Sequence, residues 1–166
     1  MSMPDESELA DAIGVAAERA IGRLFREQPE SFYYCSLITT GEAHAPFLAA
    51  WSVEKLAGRK EIKWSYADCP YCDFSPEDFE AVRKLFAARP AMDSFADCSA
   101  EYELRLRAME AALRRLDAKG IFGSGPERNR IVVNVEVMPP DHTNTERALR
   151  LNPLEALGEW LAEAAE

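Results

Sequence analysis

The sequence predicts an α+β fold with a mainly antiparallel sheet of about four strands and with helices packed on one face. Three observations support this class: strand-like segments are clustered, helix-like segments lie before and after the cluster, and a valine-rich strand comes late in the chain. A βαβ series would instead alternate strands with helices. The 166 residues fit one domain, 1–166, of which the acidic residues 1–6 are expected to be disordered.

The N-terminal half of the chain predicts one helix followed by three strands. The helix is amphipathic, with apolar residues at three- and four-residue steps, and it ends before Pro29. Aromatic and β-branched residues predict a strand over 32–40, which Gly41 ends. Residues 46–51 predict the returning strand of a hairpin. Alternation of polar and apolar residues over 61–66 predicts a third, half-buried strand.

The C-terminal half predicts two helices, a strand and a last helix. Ser75 is suited to cap a helix whose first position is Pro76. Apolar residues at steps of four and three predict a long helix over roughly 99–119. Alternating valines predict a strand over 131–137, with one side turned to the core, and Asn152 is placed to cap the last helix.

The charge of the chain limits its partners. The formal net charge is -10 and the pI is about 4.8, so the chain repels nucleic-acid phosphates and anionic lipid. We therefore expect no nucleic acid and no membrane among its partners, and a basic protein remains possible. The sequence has no run near the about 20 apolar residues of a membrane helix, and its start does not resemble a signal peptide. We expect a cytoplasmic protein with reduced cysteines.

The Cys-Pro-Tyr-Cys segment from Cys69 to Cys72 is the part of the chain that most resembles an active site. Two thiols at this spacing can exchange with a disulfide or supply half of a zinc site. Asp68 and Asp73 flank the pair and would raise a thiolate's pKa, and the helix signal starts only later. Because no second close pair of Cys or His residues follows, we expect no metal and no cofactor.

Aromatic residues are concentrated around the hairpin and the cysteine segment. If they serve function, they form an aromatic binding patch, for which we single out Trp64, Tyr66 and Tyr71. Alternatively, every second aromatic fills the core between sheet and helices. The glycine-rich segment 120–125 lacks the Lys-Ser/Thr of a phosphate-binding loop, and no Ser or Cys triad has visible support.

Three local patterns carry a family resemblance. They are the aromatic segment 30–34, the Trp-Ser segment 63–68 that reaches an acid, and a block running from Leu116 through the valine-rich strand to Pro153. Together they resemble the bacterial family catalogued as domain of unknown function 4303, over most of the chain. The resemblance implies a single α+β domain and no known reaction. It gives the cysteine pair no family-wide role, because the family usually has an aromatic residue at the position of Cys69.

These observations leave three hypotheses about function, and none of them follows from a recognised catalytic set. The first is a non-enzymatic protein that binds another protein, for example an immunity-type protein that neutralises a basic toxin. The second is a thiol–disulfide oxidoreductase with Cys69 as nucleophile and Cys72 as resolving thiol. The third is a small-molecule binder with a pocket between sheet and helices.

Overall fold

The computed structural model describes residues 2–92 and 95–166, with side chains for all of these except 95–97. Its helices in this part of the chain are α1 Glu6–Glu27, α2 Val53–Leu56, α3 Glu80–Ala87, α4 Phe95–Ala118, α5 His142–Leu151 and α6 Leu154–Glu163. The strands are β1 Phe32–Thr40, β2 Phe47–Ser52, β3 Tyr71–Cys72 and β4 Val132–Met138. Short 3₁₀ helices cover Lys60–Ile62, Pro76–Phe79 and Gly125–Arg130. No helix among the described residues is long and apolar enough to cross a membrane.

The strands form one mixed sheet in the order β3–β2–β1–β4. β1 and β2 are antiparallel, as are β2 and β3, but β1 and β4 are parallel, with Leu37 opposite Val135. The α+β class is confirmed, and the prediction of a mainly antiparallel sheet is wrong. The helices α1 and α4 run in the same direction, and each precedes one strand of the parallel pair: residues 28–31 join α1 to β1, and residues 119–131, with the 3₁₀ helix Gly125–Arg130, join α4 to β4.

Ion pairs along α1 and α4 show that the two helices are parallel. Residues farther along α1 pair with residues farther along α4, in the order Glu6–Arg107, Asp11–Arg115 and Glu18–Lys119. All three pairs are solvent-exposed and contribute little stability each. Their order therefore reports the direction of the helices, while the buried apolar surface between them supplies most of the attraction.

The predicted third strand over 61–66 is wrong. Its first residues belong to the 3₁₀ helix Lys60–Ile62, and turns follow. The alternation has a different cause: Ile62, Trp64 and Tyr66 turn into the sheet from a segment that lies over it. The edge strand is β3 instead, inside the cysteine segment, where it pairs with the two alanines of β2.

Both faces of the sheet are covered. One face packs against α1, α3 and α4 in the main core, whose largest members on the sheet are Leu37, Leu48, Val133, Val135 and Val137. The prediction that helices pack on one face is correct for α1, α3 and α4. It is wrong for α6, which packs on the other face through Leu157 and Trp160. The rest of that second face lies under the segment 53–70.

Residues 4–6 at the start of the chain make defined contacts. Asp5 caps α1: its carboxylate accepts from the Glu8 N–H at 2.9 Å, and the Glu8 carboxylate accepts from the Asp5 N–H at 2.8 Å. Pro4 is buried, and its carbonyl accepts a hydrogen bond from Arg89. Residues 4–6 of the segment predicted to be disordered thus contact the rest of the fold, and Met1 lies outside the described residues.

The outer edge of β4 is covered by amide side chains in place of a fifth strand. The Asn144 amide accepts from the Val137 N–H at 2.8 Å and donates to the Val137 carbonyl at 3.0 Å. Asn152 does the same for Val133, at 2.9 and 2.6 Å. Between them, Arg147 donates to the carbonyl of Val135 at 2.8 Å. Backbone groups that would otherwise be unpaired at a buried edge are thus satisfied.

Arg128 fixes the same edge to the end of α4. Its guanidinium donates to Asp117 at 2.7 Å, to the carbonyls of Ile131 and Leu151 at 2.8 and 2.9 Å, and to Asn152 at 3.0 Å. Arg128 is buried, so this set of acceptors is what makes its charge tolerable. The C-terminal block that the sequence singles out is therefore a structural network.

Replacing Asn152 by alanine tests this edge cover. The change leaves the N–H and C=O of Val133 without their partners, and each buried group left unpaired costs about 1–3 kcal/mol. We expect a matching loss in the free energy of unfolding, measured by urea denaturation. Asn129→Ala, at an exposed asparagine, is the control and should change the free energy of unfolding little. Equal stability of the two variants would contradict the edge cover.

Candidate functional site

Cys69 and Cys72 lie side by side as free thiols. Cys69 is only 6% exposed, and this burial raises the pKa of its thiol to about 12. Cys72 lies on the exposed side of β3, and partial burial together with the charge of Asp73 raises its pKa. Both thiols are therefore protonated near neutral pH, whereas disulfide exchange needs a thiolate.

The surroundings of the cysteine pair offer neither a helix N-terminus nor further ligands. Cys72 belongs to β3, and the next helical turn starts only at Pro76. Among the side chains described, those of residues 2–92 and 98–166, no three Cys, His, Asp or Glu residues gather as metal ligands. Among the described residues the pair therefore has neither a helix dipole nor a ligand cluster, two of the arrangements that activate or recruit cysteines in proteins.

The three aromatics singled out from the sequence do not form one surface. Trp64 and Tyr66 lie half-buried on the second face of the sheet. Tyr71 lies on the opposite face, buried against α1, and its ring contacts Phe32 and Phe74 at 5.7 and 6.0 Å between centroids. Successive side chains of strands point to opposite faces, and Tyr71 pairs with a β2 residue on the α1 side. The predicted patch of Trp64, Tyr66 and Tyr71 is therefore divided by the sheet.

Trp64 instead forms one wall of a cleft. Its ring meets Tyr33 edge-on at 5.4 Å between centroids, and its Nε1 donates to Glu163 of α6 at 2.7 Å. The Lys63 ammonium lies 4.9 Å from the ring centroid. These contacts hold the indole between the sheet and α6, with its polar edge turned to the helix.

Two adjoining hollows make up this cleft, at the end of the sheet where β1 and β4 begin. One, of about 720 Å³, is lined by Phe25, Phe32 and Phe122 among others. The other, of about 610 Å³, is lined by Leu56, Trp64 and residues of α6. Both hollows share Tyr33, Val53 and Arg130. We call the combined space the Tyr33 cleft.

Hydrogen bonds fix the floor of the Tyr33 cleft. The Tyr33 hydroxyl donates to the carbonyl of Lys63 at 2.6 Å, and burial raises the pKa of this hydroxyl. The Val53 N–H donates to the Ser31 carbonyl at 2.9 Å, while the Ser31 N–H donates to the Glu54 carboxylate at 2.8 Å. α2 is thereby tied to the start of β1. Its first residue, Val53, remains 57% exposed inside the cleft.

The rim of the Tyr33 cleft carries an excess of negative charge. Its lining includes two cations and four carboxylates, Glu30, Glu127, Glu155 and Glu159. Lys63 is neutralised by Glu159 at 2.5 Å and by Glu163 at 3.2 Å. Arg130 is exposed and makes no ion pair with any described residue. The cleft can therefore attract cationic groups, with Arg130 as one local exception.

A buried carboxyl group lies on the second face of the sheet. Glu136 is 5% exposed and accepts a hydrogen bond from the Tyr34 hydroxyl. Burial raises the pKa of Glu136. Ser36 and Asn134 lie in the same strip, where the Asn134 Oδ1 has no partner among the described residues. Glu136 lines neither hollow of the Tyr33 cleft, so this strip belongs to the packing of the sheet.

Sequence reasoning did not find the Tyr33 cleft. Tyr33 and Arg130 both lie in segments that carry the family resemblance, but nothing in the sequence marked either residue as part of a binding site. The missing information was the parallel pairing of β1 with β4, which brings the starts of these two strands together. A signal was present in Val53, an apolar residue between a strand and charged residues, but single exposed valines are common on protein surfaces.

Comparison with known families gives one match. A family model described as a domain of unknown function (DUF4303) matches residues 13–153, which is most of the chain. The matched range contains β1, β4 and the edge cover from α5 to Asn152, and most of the residues that line the Tyr33 cleft. No curated protein and no solved structure matches the chain.

Pulse alkylation with iodoacetamide, resolved for each cysteine by mass spectrometry, tests the state of the thiols. An ordinary cysteine has a pKa of about 8.5. Because the pKa values of both thiols are raised, we expect Cys69 and Cys72 in the folded chain to react more slowly at pH 7.5 than in the chain unfolded by urea. Cys69 should be the slower of the two. Fast labelling of Cys69 below pH 7 would mean that a thiolate forms.

Glu136→Gln tests the buried carboxyl group. The folded pKa lies above the about 4.3 of an unfolded glutamate, so the folded chain binds the proton more tightly. The stability that this proton provides is present below pH 4.3 and is lost as the pH rises through the folded pKa. The Gln variant has no proton to lose and keeps an acceptor for Tyr34.

We therefore expect the stability of Glu136→Gln relative to the unmodified chain to increase between pH 4 and pH 8 in urea denaturation. Glu155→Gln, at an exposed carboxylate, is the control and should follow the unmodified chain at every pH. A constant difference between Glu136→Gln and the unmodified chain over this range would show that the folded pKa of Glu136 is not raised, and it would contradict this reading of the buried carboxyl group.

Proposed function

The chain belongs to the family described as a domain of unknown function (DUF4303), and we propose that it acts without catalysis, by binding a basic segment of another protein in the Tyr33 cleft. One observation carries the proposal: an open cleft combines an apolar floor with an acidic rim. Protein-binding surfaces have this construction, with a buried apolar centre and a polar border.

The floor of the cleft offers the apolar contact that such binding needs. Val53, which lines both hollows, is 57% exposed, and the rings of Tyr33 and Trp64 line the second hollow with it. Gly158 of α6 also lines the second hollow, and a Cβ at this position would meet nothing within 4 Å. Packing within the fold therefore does not require glycine at this position. A partner that approaches the backbone of α6 closely would require it.

The rim of the cleft supports a basic partner. Glu127 and Glu155 line it without an ion pair to any described residue, so their charges are available to lysine or arginine side chains. A net charge of -10 on the whole chain adds long-range attraction for a basic protein and repels nucleic acid. Both hollows are open and they adjoin, which favours an extended segment over an enclosed small molecule.

An immunity-type role is the narrower form of this proposal. In that form the bound protein is a basic toxin, and occupation of the cleft blocks it; small acidic α+β domains support this by analogy alone. We also propose that the chain acts in the cytoplasm, since its four cysteines are free thiols. The thiol–disulfide alternative receives no support from protonated thiols at Cys69 and Cys72.

Selection from a displayed library of random peptides, using the whole chain as bait, tests the proposal. We expect enrichment of peptides that carry lysine or arginine beside aromatic or aliphatic residues. The affinity of an enriched peptide is then measured for the unmodified chain and for Val53→Asp. Aspartate places a charge on the apolar floor, so a loss of at least tenfold, about 1.4 kcal/mol, is expected.

Val15→Asp is the matched control, because Val15 is a comparably exposed valine, at 50%, that does not line the cleft. It should change the affinity by less than twofold. Enrichment that includes no peptides with lysine or arginine, or equal binding of the enriched peptide by Val53→Asp and Val15→Asp, would contradict the proposal.

A further inference from the structure

We infer that the exposed side of α1 is a second docking surface, separate from the Tyr33 cleft, and that it takes an acidic helix of a partner protein. We call it the α1 face and define it by Gly14, Val15, Arg19, Gly22 and Arg26. The opposite side of α1 is buried in the main core. None of the five residues lines the Tyr33 cleft.

Two arginines of the α1 face lack counter-charges. Arg19 and Arg26 are exposed and make no ion pair with any residue that the structure describes. Arg23, which lies between them, is already occupied, since it donates to Glu77 at 2.5 Å and to Ser75 at 2.7 Å. Arg19 and Arg26 thus remain without a described carboxylate partner on a chain whose net charge is -10. They are available to a carboxylate from outside.

The spacing of these two arginines matches a helix. Arg19 and Arg26 are seven residues apart, which is about two turns and about 10 Å along α1. Acidic side chains seven residues apart on a second helix lie at the same spacing, so both charge pairs can form at once when the helices lie side by side. This match makes an acidic helix, with carboxylates at i and i+7, the occupant that the α1 face fits.

A groove between the arginines provides contact besides charge. It measures about 400 Å³ and is lined by Val15, Glu18, Arg19 and Arg26 together with the occupied Arg23. Val15 is 50% exposed in it. Glu18 does not neutralise the arginines, because it pairs with Lys119 at 2.8 Å. The groove therefore joins an apolar contact to two unpaired cations.

The glycines of α1 have no packing reason within the chain. A Cβ at Gly14 would meet nothing within 4 Å, and a Cβ at Gly22 would meet only the guanidinium of Arg26, at 3.2 Å. Glycine inside a helix is less stable than alanine, so both positions weaken α1. On the outer side of the helix, however, glycine lets a partner's backbone approach closely. Gly14 and Gly22 therefore lower the stability of α1 and at the same time leave its outer surface open to a partner's backbone.

Free phosphate or nucleic acid fits these observations less well than a helix. Neither would use the exposed Val15 or the absence of side chains at Gly14 and Gly22. A polypeptide helix uses the charges, the apolar contact and the close approach together.

The test uses the whole chain and two synthetic helical peptides. One peptide carries glutamates seven residues apart on an alanine and leucine background, and the other has glutamine at the same positions. Binding is measured by fluorescence anisotropy at low salt. We expect the glutamate peptide to bind at least tenfold more tightly than the glutamine peptide. Arg19→Gln combined with Arg26→Gln should abolish this preference, while Val53→Asp should leave it unchanged.

Gly14→Ala combined with Gly22→Ala separates docking from folding. We expect a higher midpoint of urea unfolding and, in the same variant, at least fivefold weaker binding of the glutamate peptide. Equal binding of the two peptides, or unchanged binding by the alanine variant, would overturn the inference. Displacement of the glutamate peptide by equimolar inorganic polyphosphate would also overturn it, since the α1 face would then bind anions in general.

Discussion

The cover over the outer edge of β4 is the constraint on which the rest of this structure depends. β4 lies at the end of the sheet, and an uncovered edge strand would offer its N–H and C=O groups to any other chain. Asn144 and Asn152 satisfy both backbone groups of Val137 and Val133, as a neighbouring strand would do. These side-chain hydrogen bonds take the place of a neighbouring strand, and they come from α5 and from Asn152, the residue that follows it.

The position of β4 in turn creates the Tyr33 cleft. Because β4 runs parallel to β1, both strands begin at the same end of the sheet, and the residues just before them, Ser31 and Arg130, lie around one space. Arg128 secures this end by joining Asp117 of α4 to the edge cover. The segment from Arg128 to Asn152 thus covers the outer edge of the sheet. The end of the sheet at which β1 and β4 begin stays open as a cleft, where apolar and acidic side chains face solvent.

Much of the fold follows from the sequence, and the reasons for the failures are physical. Apolar spacing and the valine alternation predict α1, β1, β2, α4, β4 and α6 close to their positions in the structure. The predicted cap of the last helix is wrong, because Pro153 holds the N-cap position and the Asn152 side chain bonds to Val133 instead. Segment 61–66 alternates because it lies over the sheet, and that pattern cannot be told from a strand by periodicity. α5 was not predicted because its buried side carries the polar residues Asn144 and Arg147, so the sequence there lacks an apolar stripe. The cleft needs the parallel pairing of two strands about one hundred residues apart, which local patterns do not contain.

Residue-resolved amide hydrogen exchange of the free chain measures the edge cover directly. If the side chains of Asn144 and Asn152 replace a neighbouring strand, the amides of Val133 and Val137 exchange only when the whole chain unfolds, as slowly as amides in the centre of β1. Exchange of these two amides at the rate of an exposed strand edge, in a chain whose β1 amides remain protected, would contradict the account.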